Sequence, residues 1–492
     1  MGILALAEQK NGKNSMYLSA IQASRAIANK DISCREYMRQ TLQRIEAFNP
    51  VHNAIVELVD AEDLLKQARQ ADEALARGEY WGWMHGLPHA VKDLANLEGF
   101  VTSFGSPVFA NTIATEDDLF VERIRQQGAI FIGKTNVPEF GLGSQTYNPV
   151  YGPTRNAFDI NLTAGGSSGG AAVALATGML PVADGSDMMG SLRNPAGYNN
   201  IAAIRPSLGR VPRAKQDLFF NQLSTEGPMG RTIEDVIQLF TTLAGASNRS
   251  PLSVQEPVGA PDSFSMGSLK DLKIGWLADY DGYLAMQPGV LELCEASLKN
   301  LETAGAIVTP ASIDFDMASL WQCWLVLRQW MVAGGRRLLY ENPTSRELLK
   351  PELIWEIEQS FNLTAAQVTD ASSVRSDWYR AVNQVFTKWD ILALPSAQVF
   401  PFPVEEHWPS VIDGNNMDTY HRWMEVVIGG TLSGCPVVAL PAGFRDGAAM
   451  GIQFIAPIGQ DKMLLEFALA YEEVNNWHAA YQQFEAGELV AE

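Results

Sequence analysis

The sequence predicts an α/β fold, on three observations. Residues 16–79 carry helical spacing behind capping residues. From about residue 86 to 245, glycine-rich turns alternate with short apolar runs such as AIFIG at 129–133. In the second half, strand-length apolar runs recur between helix-length segments. The chain has 492 residues, of which 47% are hydrophobic and 19% charged, a balance that belongs to a folded chain rather than a disordered one.

Taken in order, Ser19 is placed to cap a first helix, and Ser33 followed by Glu36 forms a capping-box pattern for a second. Tyr37, Leu42, Ile45 and Phe48 then keep helical spacing. Residues 81–245 form a glycine-punctuated core. Residues 247–268, rich in Ser and Pro, read as a surface connection between two halves of one sheet-containing domain. The second half, 269–480, opens with a strand in the 269–276 region around LKIGWL and a helical segment near 288–305. Residues 315–390 are mostly helical and aromatic, and read as facing substrate. Strands are expected at ILALPSA (391–397), PVVALP (436–441) and GIQFIAPIG (451–459), and a terminal helix at 461–476. The whole chain, 1–492, reads as a single domain.

Charge narrows the partners. A formal net charge of −20 repels phosphate backbones, and no Lys/Arg run offsets it, so no nucleic acid is expected. The N-terminus, MGILALAEQKNGKNS, has an apolar stretch too short for a signal-peptide core, and Leu6 stands where a myristoylation signal needs Ser or Thr. No apolar segment approaches bilayer-spanning length, so no membrane association is expected. Cys34, Cys294, Cys323 and Cys435 are scattered, without CxxC or His at metal spacing, and read as buried thiols of a cytoplasmic protein.

Three glycine-rich patterns compete for the chemistry. GAIFIGKT, Gly128 to Thr135, spells a phosphate loop. Its four central residues, however, are those of a buried strand, and Pro138 disfavours a helix continuing from Lys134. GGSSG, Gly165 to Gly169, spells a nucleophile elbow. The preceding FDINLTA is no clean strand, although His407, His421 and His478 downstream keep that reading open. The third reading takes the full stretch 163–197, where Ser167 and Ser191 stand 24 residues apart around one helix-length apolar segment. A helix there returns the chain to the same end of a sheet. Ser191 follows Met189-Gly190 in a tight turn whose N–H groups are able to face an oxyanion.

GLPHAVKDL (86–94), GKTNVPEFGLGS (133–144), GGSSGG (165–170), GSDMMGSLRNPA (185–196) and GPMGRTIEDV (227–236), in this order and spacing, resemble the amidase signature family. The resemblance implies a large mixed central β-sheet covered by helices on both faces. It makes Ser191 the nucleophile, Ser167 the bridging serine after a cis Gly166–Ser167 peptide, and Lys92 the base. It also implies backbone N–H groups of Met188, Met189, Gly190 and Ser191 as oxyanion donors, and a loop at Gly141 and Leu142 near the nucleophile. No metal and no organic cofactor is implied. Physically, an exposed lysine with a pKa of about 10.4 is protonated and useless as a base, so Lys92 must be desolvated to accept a proton. Ser168 reads as a supporting donor, Asp187 and Arg193 as braces of the loop, and His85 and His89 as structural histidines.

One departure stands out. The family carries Gly-Gly before the nucleophile, whereas here Met189 precedes Gly190, with Met188 before it. Two flexible apolar side chains at that turn suit an acyl pocket. Eight of the twelve tryptophans lie between 321 and 423, including Trp321, Trp324 and Trp330; at helical spacing they read as core before pocket, so the expectation of an apolar or aryl acyl group rests on Met188 and Met189. The expected partner is a small-molecule amide, and a homodimer is compatible with the resemblance. The alternatives are the amidase subunit of a glutamine-dependent tRNA amidotransferase and a catalytically inactive binding homologue.

Overall fold

Helices begin where the capping residues stand. In the computed structural model, which describes residues 18–214 and 217–484, the Ser19 side chain accepts from the Gln22 N–H ahead of α1 (Ala20–Ala28), and Ser33 forms a capping box with Glu36 ahead of α2 (Cys34–His52). On α2, Tyr37, Ile45 and Phe48 are buried while Leu42 is half-buried. The readings made on residues 1–15 lie outside the described residues.

Two sheets follow. β1 (Ile55–Val56) runs antiparallel to β3 (Ile130–Thr135), which runs parallel to β2 (Pro88–Lys92). The helices α3 (Ala61–Ala76) and α4 (Leu119–Gln126) belong to this half. The larger sheet holds β4 (Ala183–Asp187), β5 (Ala202–Arg205), β6 (Thr225–Gly230), β7 (Lys273–Trp276), β8 (Ile307–Pro310) and β9 (Ile391–Pro395). A short hairpin, β10 (Val411–Ile412) and β11 (Asn415–Asn416), stands apart, and β12 (Val437–Arg445) and β13 (Ala448–Ile455) complete the large sheet. Its order is β4-β6-β5-β12-β13-β9-β7-β8, antiparallel from β4 to β9 and parallel from β9 to β8. The expected mixed sheet is thus present, drawing strands from both halves of the chain. Helices α6 (Arg193–Tyr198), α7 (Ile233–Leu243), α8 (Val290–Thr303) and α15 (Asp461–Asn475) pack against it.

The helix-length run between the two serines yields α5 (Gly169–Ala176), shorter than the run itself, and the chain then returns along β4. Every residue of α5 is buried, as befits a helix apolar on all sides. It packs against β1, β2 and β3 of the small sheet and against β4 and β6 of the large one. Gly170 permits this wedge: a Cβ there would lie 2.4 Å from the Asn136 nitrogen and 2.5 Å from the Ala54 carbonyl oxygen. The aromatic stretch forms α9 (Met317–Gly334), α10 (Arg337–Glu341), α11 (Pro343–Arg346), α12 (Pro351–Ser360) and α13 (Ala365–Val385), and α14 (Ile428–Ser433) precedes β12. Among the described residues, no helix is long and apolar enough to cross a membrane.

Candidate active site

Lys92 ends β2, a strand buried along its whole length. Sequence reasoning did not separate this strand from the central sheet. From this three-stranded setting the side chain reaches Ser167 and Ser168, just ahead of α5, and Ser186 on β4. Nζ lies 2.9 Å from Ser167 Oγ, 2.7 Å from Ser168 Oγ, 3.0 Å from Ser186 Oγ and 3.2 Å from the Ser186 carbonyl oxygen. Burial pushes the amine down to about 7, against the opposing pull of Asp184, Asp187 and Glu226. Asp184 does not touch Nζ. It accepts from the Lys92 backbone N–H at 3.2 Å, and its other oxygen meets His89 Nε2 at 3.0 Å. A neutral amine in this cage has one lone pair, able to accept from a hydroxyl, and two N–H groups for the remaining oxygens.

The turn presenting Ser191 is held from below. The Asp187 carboxylate accepts from the N–H groups of Gly190 (2.9 Å) and Leu192 (3.1 Å) and from Arg193 Nη2 and Nε (2.9 and 3.0 Å). Burial raises the Asp187 carboxyl, but Arg193 and then Arg205 more than offset this, so it sits well below the usual carboxylate range. Arg193 also reaches the Val427 carbonyl, Gln453 and Thr431, and the Thr431 hydroxyl donates to the Met188 carbonyl at 2.9 Å. One consequence narrows the expected oxyanion set: the Gly190 N–H is already engaged by Asp187. The N–H groups of Met188, Met189 and Ser191 remain.

The predicted residues converge on one cavity of about 750 Å³, lined by Gly141, Leu142, Ser167, Ser186, Met188, Met189 and Ser191 among others. Ser168 and Lys92 lie just behind this wall, both buried. The peptide Gly166–Ser167 is cis. Gly141, at φ 71°, sits so near that a Cβ would fall 2.7 Å from Leu94 Cδ1 and 3.4 Å from Ser167 Oγ. The tryptophans divide: Trp321 and Trp324 are core, whereas Trp330 lines the cavity. His85 is held by the Ala71 carbonyl and the Trp81 N–H, and His89 by Asp184.

Both rejected motif readings find their place. The phosphate-loop spelling falls on β3, where Lys134 pairs with Asp93 at 3.1 Å. The elbow reading needs a histidine at Ser167, and among the described residues that position belongs to Lys92; His407 stacks on Tyr147 and His478 bonds Glu472. Sequence reasoning missed Ser186, although it sits inside the GSDMMGS motif. It also missed Arg328, a further cavity residue from a remote segment without a local signal, and named His421 only as a histidine for the elbow reading, whereas His421 lines the cavity.

A model of the family described as Amidase matches residues 36–465. The chain belongs to the amidase family. It is similar to the acylamidase of Rhodococcus erythropolis, 31% identical over 470 residues, covering 94% of this chain and 97% of that protein. It is also similar to a glutamyl-tRNA(Gln) amidotransferase subunit of Pseudomonas putida (strain GB-1), 32% identical over 479 residues, covering 93% and 97%. Among solved structures, a bacterial aryl acylamidase of the amidase signature family superposes with a TM-score of 0.90 at 26% identity, covering 97% of this chain and 100% of that one. This amidase-family chain therefore matches its relatives along nearly their full lengths.

Proposed function

We propose that this amide hydrolase works through an acyl-enzyme on Ser191, with Ser167 and Lys92 as its proton relay. The observation that carries the reading is the buried Lys92 amine, pushed down to about 7 and 2.9 Å from a serine that shares a cavity with Ser191. The Ser191 hydroxyl proton passes to Ser167 and the Ser167 proton to Lys92, while Ser191 Oγ bonds to the amide carbonyl carbon. The resulting oxyanion takes hydrogen bonds from N–H groups among Met188, Met189 and Ser191. Collapse breaks the C–N bond, and the proton on Lys92 returns through Ser167 to the departing amine. Water then repeats the transfer on the ester and releases the acid.

Met188, Met189, Trp330, Met331 and Val332 on the cavity wall favour an apolar or aryl group on the substrate, in keeping with the similarity to acylamidases. The four cysteines, all buried and free, fit the reducing cytoplasm. Similarity to the amidotransferase component supports a second reading, one member of a larger complex, which predicts stoichiometric co-purification with other chains from the native host. For the first reading, a fluorophosphonate probe is allowed to react and the adduct is mapped by mass spectrometry. The expected adduct is on Ser191. No adduct, or one on Ser167, overturns the assignment.

A further inference from the structure

Apolar walls do not account for the whole cavity. Arg328, on α9, is buried with its Nε 2.5 Å from Glu356 Oε1 and its Nη2 2.6 Å from the Tyr420 hydroxyl, which itself donates to Glu356 at 2.6 Å. These contacts lock the guanidinium. Its Nη1 is left facing the Met188 thioether at 3.7 Å, on the cavity wall and beside the turn that presents Ser191.

His421 lines the same cavity and is only 2% exposed, yet among the described residues neither ring nitrogen has a hydrogen-bond partner. The ring is held by aromatic neighbours: Tyr420 at 4.6 Å, Trp321 at 5.3 Å and Trp355 at 6.0 Å between centroids. Burial, then the cations Arg328 and Arg422, keep the imidazole neutral. A neutral imidazole has one donor and one acceptor, and leaving both unmatched in a buried place is unfavourable. A ligand group reaching into the cavity relieves that cost.

The local charge tells which kind of group fits. Arg328, Arg336, Lys350 and Arg422 are matched in this region by Glu356, Glu139, Glu352 and Glu425. An added carboxylate would be a surplus buried anion. We infer that Arg328 and His421 form a polar recognition point in the substrate cavity, built for a neutral hydroxyl or carboxamide carried by the substrate away from its scissile bond. This rests on the amide-hydrolysis reading above and sharpens its substrate class, from purely apolar amides to apolar amides bearing one neutral polar group.

The test uses anilides matched in size, each with a para substituent on the acyl or the amine half: hydroxymethyl, ethyl or carboxylate. For the wild-type protein the expected kcat/KM is at least about tenfold higher for hydroxymethyl than for ethyl in one of the two halves, because a site built for a hydrogen bond disfavours the analogue that lacks it. In His421→Phe that ratio falls toward one, and in His421→Asn, which keeps a donor and an acceptor, part of it returns. Each variant serves as its own reference, so a general loss of activity does not enter the ratio. Equal rates for hydroxymethyl and ethyl in both halves, an unchanged ratio in His421→Phe, or a preference for carboxylate would each overturn the inference. Failure here leaves fluorophosphonate labelling of Ser191 and turnover of the ethyl anilides intact, which separates it from failure of the amidase reading.

Discussion

Two buried lysines stand one register position apart on neighbouring strands of the small sheet, and they have opposite surroundings. In the parallel pairing of β2 and β3, Val91 faces Lys134 and Lys92 faces Thr135. Both lysines are essentially inaccessible to solvent, at 1% and 0% exposure. Lys134 has the Asp93 carboxylate at 3.1 Å, with the Ala95 carbonyl at 2.8 Å and the Thr102 hydroxyl at 3.2 Å. Among the described residues the Lys92 amine meets serine hydroxyls and a carbonyl, while Asp184, the carboxylate that acts on it most strongly, is turned to a backbone N–H and His89. Burial alone therefore does not make a base. A carboxylate in contact gives a buried ammonium its counterion, and withholding that carboxylate lets desolvation drive the amine toward neutrality.

Breaking this contrast on the catalytic side has the largest expected effect. Lys92→Met should lower kcat/KM for an amide by about 10²–10⁴-fold, the usual contribution of a positioned acid–base group, read in a steady-state assay on protein that still melts cooperatively. A loss of only a few-fold would remove Lys92 from the relay.

On the structural side the order reverses. Lys134→Met strands the Asp93 carboxylate in the core and should cost about 3–5 kcal/mol in urea unfolding. Lys92→Met should cost much less at neutral pH, because it removes a group that burial disfavours. Combining Lys134→Met with Asp93→Asn should recover part of the loss.

The pH dependence sharpens the comparison next. The proposed relay needs neutral Lys92, so kcat/KM should climb about tenfold per pH unit below about 7 and level off above it. Stability carries the same signature. The folded amine titrates near 7 and an unfolded lysine near 10.5, so the unfolded state binds more protons between those values and stability rises with pH across that window. The penalty is fully present below about pH 7. Lys92→Met should flatten this rise, and an unchanged slope would show that another group is responsible.

The smallest expected effect concerns the turn rather than the lysines. Met189→Gly places at this turn the glycine expected from the family resemblance and removes a cavity-lining side chain. It should lower kcat/KM for bulky aryl amides relative to acetamides by about tenfold or less, in the range of one apolar contact. A general gain for all amides would instead mean that Met189 obstructs the turn.

Much of this protein was legible before its structure. Ser19 and Ser33 cap the helices they precede, and Ile130–Thr135, Ile391–Pro395 and the β12–β13 pair stand where apolar runs suggested strands. Those features depend on nearest neighbours along the chain. Less legible was the small separate sheet, since a parallel pair such as β2 and β3 is joined by contacts some forty positions apart. Ser186 was within reach, because it lies inside the GSDMMGSLRNPA stretch on which the family resemblance rests. Arg328 and the place of His421 were not, because they depend on a shared cavity and, for His421, on the partners its ring lacks among the described residues.

The sequence by itself determined which side chains were available and where turns, caps and strands would fall, because those are set by local sterics and by the periodicity of apolar residues. It also placed Ser167 and Ser191 at the two ends of one buried segment. Only the tertiary structure decided that Lys92 sits near neutrality, that Asp187 occupies the Gly190 N–H, and that His421 faces the cavity unpaired. Desolvation is a property of everything that surrounds a group. For Lys92 those surroundings come from residues 75 to 94 positions away, folded over it from the edge strand of the large sheet and from the segment that leads into the wedged helix.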